Sequence, residues 1–449
     1  MRQNNRTYRH RRGLLLSLLL PVLTVLFACS AGEETVQTDV SSAEAETAVS
    51  VEEPPEVTYP PVTLRFDLGL ANAEERDLLA AMTAAFNRDN TQQLTVEILA
   101  VEPVEAAEDT EETEPPEEEE TEDAPAAVAA DLLFLRPEDV SEYSRRLLSL
   151  HDDLPDALPS YGGMNAALCR MFSRSGKILA VPLTGETEVF FSHPSLLEEA
   201  EIKDVPADWD AVLSAGRKLR EEKGIPLIGV TDRTALLELL LAQNDCALLA
   251  EEGILFDNAA GSSTLELLLT LCREEIVAVY ADEASLLKAF QDRRIAGMFL
   301  NASSEARYEL TENAVAVSEL PHWHARAAGV TGSGIALLTA DEDTKRAAFA
   351  FLAYLTEPEQ NANLAIGTGK LPAVNAVYEL PSYRSFLSAD HAQECAAAQA
   401  DALYAAVRSE RTEEMYLLLA QALEEEVIGE AEAEEVLKTL RSAVHGGTE

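Results

Sequence analysis

The sequence predicts an α/β protein folded as two lobes, and three observations predict it. The chain has 449 residues of which 47% are hydrophobic, too long for one small core and apolar enough to fill more than one. From Val62 the pattern alternates strand, helix, strand. Further on, the apolar run Ile178 to Val181 is followed by a polar interval, Thr184-Gly185-Glu186-Thr187, and then by a second β-rich run, Glu188 to Phe191. Strand, polar interval, strand is the pattern of a chain passing from one packed unit to another.

The first residues form a targeting segment. Arg2, Arg6, Arg9, Arg11 and Arg12 make a basic start, Gly13 to Phe27 an apolar stretch, and Leu26-Phe27-Ala28-Cys29 closes it. Leu-x-Ala-Cys resembles the lipobox of bacterial lipoproteins, which implies cleavage after residue 28 and a lipid on Cys29. Removing residues 1–28 takes away five Arg and no acid, moving the formal charge from −46 to −51. Such a polyanion repels nucleic acid and anionic lipid surfaces, so neither is an expected partner. Residues 29–61 are rich in Glu, Ser, Thr and Pro, contain no Lys or Arg after Cys29, and read as a disordered acidic tether.

Folded sequence begins at Val62. Val62 to Phe66 alternates as a half-buried strand, Ala71 to Asn87 has helical spacing at Leu78, Leu79, Met82 and Phe86, and Leu94 to Val101 is a second strand. That order predicts a parallel pair with a right-handed crossover. Ligands of such sheets sit beyond the carboxyl ends of the strands, which places Asp67, Leu68 and Gly69 at a cleft lip. Residues 102–130 interrupt the pattern. Between Glu102 and Asp123 there are thirteen Asp or Glu, three Pro and no Lys or Arg, the composition of a disordered insert, and no Asp-x-Asp-x-Asp-Gly spacing of a calcium loop is present.

Asp131 to Leu135 resumes the sheet and Arg136-Pro137 ends it. Ser141 to Leu150 and Gly163 to Phe172 have helical period. The strand Ile178 to Val181 is expected to stop at Pro182, and after Phe191 come a helix over Pro194 to Glu201 and another opened by Ala207-Asp208-Trp209, whose Trp belongs to the core.

Here a family resemblance becomes specific. A strand, then Pro-x-x-x-Glu, an aromatic pair, a short helix and a Trp-Asp that starts the next helix resemble the extracellular solute-binding proteins of ABC importers, in their sugar-binding branch. The order of segments agrees on both sides. Upstream lie an Asp-led apolar strand and Leu147-Leu-Ser-Leu-His-Asp-Asp153; downstream lie Ala-Gln-Asn-Asp and Phe-Asp-Asn before a helix, then Glu283 to Gln291 as helix and Ile295 to Leu300 as strand. By the resemblance this last strand is a second crossing that delivers Asn301, Ala302, Ser303 and Ser304 to a cleft. The family's usual Trp after it is absent.

Ala314 to Leu320 is strand-like. His322-Trp323-His324 could present two imidazoles to a metal, but no third ligand lies nearby in sequence, whereas Trp323 is placed to stack on an apolar ligand face. Ala327 to Leu338 is a glycine-broken strand whose Gly332-Ser333-Gly334 marks close backbone approach rather than a phosphate loop. Asp341 caps a helix reaching Leu355, Gly369-Lys370-Leu371-Pro372 lies in a segment that closely resembles one in the family, and helices from about Ala392 to Ala443 finish the chain.

The resemblance implies a two-lobe periplasmic-binding-protein-like fold of type II with hinge crossings: residues 62–184 plus 300–338 as one lobe, 185–299 plus 339–446 as the other. It implies a small solute held between them, Glu186 as a ligand-contacting carboxylate with Asp67, Arg136, Asn301, Ser303 and Trp323 as further contacts, and ABC permease subunits as the membrane partner. A monomer is expected, with no cofactor, no metal and no nucleic acid. No Gly-x-Ser-x-Gly or His-Glu-x-x-His is present, so the chain is not read as an enzyme. The alternative is a ligand-sensing or surface-interaction lipoprotein with the same fold. Cys169, Cys246, Cys272 and Cys395 are expected as free thiols, and the aromatic content of 6% favours a small or polar solute over a long oligosaccharide.

Overall fold

In the computed structural model, residues 60–446 are described except 100–129, 144–145, 151–157, 160, 251, 308–309, 311–314, 339–340, 407–408 and 429–430. The targeting segment, Cys29, nearly all of the tether and nearly all of the acidic insert lie outside the described residues.

The chain opens as the alternation predicts. β1 (Val62–Asp67) leads into α1 (Ala73–Asp89) and β2 (Leu94–Ile98), and β1 pairs in parallel with β2 and with β3 (Leu132–Leu135). α1 starts at a capping box: the Asn72 side chain accepts from the Glu75 N–H, and the Glu75 carboxylate accepts from the Asn72 N–H. Asp131, just before β3, takes a two-pronged bond from Arg65 (2.8 and 3.0 Å), fixing the strand start.

The helix expected over Ser141 to Leu150 is one turn, α2 (Val140–Tyr143), because the Leu148 and Leu150 N–H groups donate to Leu337 and Ile178 carbonyls and hold that stretch extended. α3 (Ala166–Met171) is capped by Asn165 and precedes a hairpin, β4 (Ser173–Arg174) with β5 (Lys177–Ile178).

Pro182 does not end a strand. It stands inside β6 (Val181–Ser192), which runs unbroken through the polar interval. Proline offers no N–H, and the pairing with β13 (Ala328–Leu337) shifts register opposite it, between Ser333 and Gly334. Leu183 is left as the extra residue, and its carbonyl accepts from Asn361 Nδ2 (2.8 Å) and the Ala373 N–H (3.3 Å). The missing ladder bond falls where the ladder is already irregular. β13 is likewise continuous. Gly332 lets it approach β6: a Cβ there would lie 2.1 Å from the Thr184 carbonyl oxygen.

After β6 come α4 (Pro194–Glu199), α5 (Trp209–Lys223), β7 (Ile228–Val230), α6 (Arg233–Ala242), a short hairpin of β8 (Leu249–Ala250) with β9 (Gly253–Ile254), α7 (Ala259–Arg273), β10 (Val277–Val279), α8 (Glu283–Gln291), β11 (Gly297–Asn301) and β12 (Ala316–Ser318). Past β13 lie α9 (Glu342–Leu355), α10 (Pro358–Thr368), β14 (Leu371–Pro372), α11 (Pro381–Ala389), α12 (His391–Ala398), β15 (Leu403–Tyr404), α13 (Glu410–Ile428) and α14 (Ala433–Gly446). The closing helices are thus interrupted by β15. A two-residue strand has no periodicity to betray it. No described helix is long and apolar enough to cross a membrane.

The main sheet runs β10-β7-β11-β6-β13-β3-β1-β2, with β12 and β14 also on β6 and β15 on β13. Its side chains pack in separate groups. Val181 and Leu183 of β6 join Leu64, Phe66, Leu79 and Phe351 in one; Phe190 joins Trp209, Leu240 and Leu268 in another; Val189 and Phe191 join Phe290 and Met298 in a third. β13 divides likewise, Ile335 in the first and Ala328 in the second. Burying about 1.5–3 kcal/mol of side chain per large residue holds each group together, while the polar middle of β6 belongs to none. Helix α9, which the resemblance assigned with 185–299, packs its Ala347, Phe351 and Leu352 in the group beneath β1. Trp209 is fully buried, as expected; its Nε1 donates to Gln243 Oε1 at 2.7 Å, which satisfies the one polar atom of the indole.

Candidate functional site

The polar middle of β6 places Glu186 and Glu188 on one face of the strand, since side chains alternate and i, i+2 share a face. Glu186 meets Lys370, which follows the left-handed Gly369 that terminates α10, and Lys370 Nζ also lies 2.6 Å from Glu75 Oε1. Arg136, at the end of β3, reaches both acids, 3.0 Å from Glu75 and 3.7 Å from Glu186. Two carboxylates and two cations therefore close a ring of alternating charge, with the Glu75 side chain 2% and that of Lys370 6% exposed. Asn301 Nδ2 donates to Glu186 Oε2 at 3.1 Å, and Ser303 Oγ lies 3.2 Å from the same oxygen. Burial alone pushes the Glu186 carboxyl up, but Lys370, then Arg136 and Ser303, outweigh it and hold the group below its ordinary range.

Glu188 is in the opposite position. Its carboxylate has no hydrogen bond or ion pair with any described residue, and it faces a cavity of about 520 Å³. That volume is within the range of small-molecule sites, roughly 300–1,000 Å³. Glu188 is exposed, but to the cavity; protein surrounds the carboxyl closely enough that desolvation, followed by the charges of Asp232 and Glu283, pushes it up to about 7. The direction is the one that three converging carboxylates require.

Helix starts deliver the other acids. Asp232 caps α6, accepting from the Thr234 and Ala235 N–H groups, and takes the Tyr416 hydroxyl at 2.8 Å. Asp282 caps α8 through the Ser285 N–H, and Glu283 accepts from the Ser304 hydroxyl at 2.7 Å. With Glu186, Glu188 and Glu238 they make the acidic part of the lining, in which no described Lys or Arg takes part. Leu236, Leu239 and Phe299 supply an apolar part, and Tyr404 of β15 an aromatic one. A second cavity, about 1,060 Å³, adjoins α2, the β4-β5 hairpin and the start of α13; its lining mixes Arg174 and Lys177 with Glu138, Glu142 and Glu413.

Of the residues singled out in the sequence, the structure brings Glu186, Arg136, Asn301 and Ser303 into one cluster, and Glu186 and Asn301 also line the cavity. Asp67 ends β1 apart from them and accepts from the Gly69 N–H at 2.8 Å. Trp323 is apart as well: it packs against the group around Trp209 and stacks on His324 with ring centroids 4.6 Å apart. Sequence reasoning missed Glu75, Lys370, Glu188, Asp232 and Tyr404. The first was within reach, because Asn72-x-x-Glu75 is a capping-box spacing ahead of an apolar period. Lys370 stood in a quoted segment but carried no signal of its own. The four Cys outside the targeting segment are free. Among the described residues, no three of His, Cys, Asp and Glu converge closely enough to hold a metal ion.

A family model described as bacterial extracellular solute-binding protein matches residues 81–391. Among solved structures, a cyclic alpha-maltosyl-1,6-maltose binding protein from Arthrobacter globiformis superposes with a TM-score of 0.71 at 17% identity, covering 86% of this chain and 99% of its own. The sugar-binding protein MalE from Xanthomonas citri gives 0.68 at 16% identity, covering 86% and 97%. UgpB from Mycobacterium tuberculosis, in complex with glycerophosphocholine, gives 0.62 at 16% identity, covering 86% and 98%. No curated protein sequence matches the chain. The fold is that of the type II periplasmic binding proteins.

Proposed function

Because this chain belongs to the bacterial extracellular solute-binding proteins, we propose that it captures a small solute, a sugar or related polar molecule, between two lobes and delivers it to the permease of an ABC importer. The observation that carries this reading is the cavity at the polar middle of β6, where the strand belongs to neither flanking core and the Glu188 carboxylate is left for a guest. Structural relatives that bind saccharides support a polar solute.

One lobe is built on β1, β2 and β3 with α1, α9 and α10, the other on β7, β10 and β11 with α5 to α8, α13 and α14; β6 and β13 are the crossings. A solute that touches both lobes gains its contacts only on closure, so binding shifts the hinge equilibrium by its differential affinity for the closed form. No bond is made or broken. Glu186 and Asn301 form the wall nearest the crossing, with Arg136 and Ser303 holding Glu186 in place, and Asp67 stands at the lip of the facing lobe. The protein works as a monomer, anchored to the outer face of the cell membrane by a lipid on Cys29 and spaced from it by residues 29–61.

A thermal-shift screen of the full chain against sugars, polyols and phosphodiesters tests the reading. A cleft ligand present at about 100 times its Kd stabilises by about 2.7 kcal/mol. A panel in which no small solute raises Tm overturns the proposal. Cys29→Ser, expected to release the protein into the medium, tests the anchor separately.

A further inference from the structure

We propose that the solute taken by this cavity carries a protonated amine, an organic cation rather than a neutral saccharide; this rests on the solute-binding reading above.

Three observations converge on it. Among the described residues the lining holds six carboxylates and no Lys or Arg, whereas the second cavity has cations of its own. Five of the six carboxylates already serve the protein or are engaged by it: Glu186 by Lys370, Asp232 and Asp282 as helix caps, Glu283 by Ser304, and Glu238 by contacts within the fold. Glu188 has no partner among the described residues and is exposed to the cavity, with Asp232 and Glu283 as its charged neighbours. A carboxylate crowded by two others on a cavity wall is left at a cost in free energy that a cation placed among them removes.

The geometry also limits which cation. The donors do not converge tightly enough for a metal ion, so the positive charge must sit on a larger frame. Leu236, Leu239 and Phe299 offer that frame an apolar surface, and Tyr404 a ring face suited to an ammonium group. A neutral sugar would satisfy hydroxyl donors here but would leave the acidic charge uncompensated. Two sources share the required chemistry, an amino sugar and an aliphatic polyamine.

Isothermal titration of the full chain, after exchange through denaturant to remove any co-purified solute, distinguishes them. The amine arms are glucosamine and spermidine; the neutral arms are N-acetylglucosamine, glucose and maltose. At least one amine is expected to bind about tenfold or more tighter than the neutral probes, one unit of charge compensation corresponding to roughly a decade. Glu188→Gln, which keeps the side chain's shape, is expected to weaken that amine about tenfold while leaving the unliganded Tm at or above that of the parent. Neutral probes binding as tightly as the amines, or an amine affinity unchanged in Glu188→Gln, would overturn the cationic assignment and leave the solute-binding reading intact. Silence of all five probes by titration, with the broader thermal-shift screen also silent, would overturn both.

Discussion

Glu186 and Glu188 stand two residues apart on the same face of the same strand, and the fold treats them oppositely. Glu186 is met by Lys370, Arg136, Asn301 and Ser303 and is held below its ordinary range. Glu188 is met by no cation among the described residues, has Asp232 and Glu283 as its charged neighbours, and is pushed up to about 7. Residue type, strand and orientation are shared. The difference lies in which segments arrive: the residues just before β14 and just after β3 bring positive charge to one carboxylate, while the starts of α6 and α8 bring negative charge to the other. A carboxylate's role in this chain is therefore set by its long-range neighbours.

Removing the shared cation should break the contrast most sharply. Lys370→Ala leaves Glu75 and Glu186 facing each other with Arg136 alone between them, and breaking a buried pair in this way costs about 3–5 kcal/mol. Urea denaturation reads the loss. A variant within about 0.5 kcal/mol of the parent would mean that the ring is a solvated surface feature.

Gly332→Ala tests whether the Glu186 end is fixed by strand approach. Gly332 pairs with Gly185, and a Cβ would lie 2.1 Å from the Thr184 carbonyl oxygen, so β13 must move away. A cost of about 1–3 kcal/mol is expected, again by denaturation, with exchange protection of the 184–187 amides falling as well. Unchanged protection would separate the ring from the strand geometry.

The smallest and most discriminating effect is in pH dependence. Glu188 has a folded pKa of about 7 against an ordinary 4.5, so the folded state binds its proton more tightly, and the group's contribution to stability declines as pH rises from 4.5 through 7. Glu188→Gln should match the parent Tm below pH 4.5 and exceed it increasingly up to pH 7. Glu186→Gln should do the reverse: its lowered pKa gives stability that is present above 4.5 and lost as pH falls below it, so the variant is worse than the parent at neutral pH and converges in acid. The described titratable groups that line the cavity with Glu188 are Asp232 at the start of α6 and Glu238 within it, Asp282 and Glu283 at the start of α8, Tyr404 of β15 and Glu186 on its own strand, and none of these supplies positive charge. Parallel pH curves for the two variants would erase the comparison.

Much of the architecture was legible because it is local. The helix-start residues Asp208 and Asp341, the apolar periods of α1, α5 and α9 and the parallel β1-β2 pair follow from spacing within a few residues. The polar interval at 184–187 correctly marked the passage between packed groups, yet it was read as a break in the strand. Periodicity reports burial, and an uncovered stretch of strand loses its apolar signal while its ladder to β13 stays intact. Pro182 misled for a related reason, since its missing donor is harmless only where a partner strand is out of step. β10 and β15, of three and two residues, are too short to carry a period at all.

By itself the sequence determined where much of the backbone would coil or extend, that the chain would divide its apolar residues among more than one core, and that a carboxylate would stand in the polar interval 184–187. Only the tertiary structure decided which carboxylate is neutralised and which has no counter-charge among the described residues. Helix starts and strand pairs depend on neighbours within a few residues, whereas charge compensation depends on groups brought together from 75, 136, 186 and 370, a coincidence in space that linear spacing does not encode.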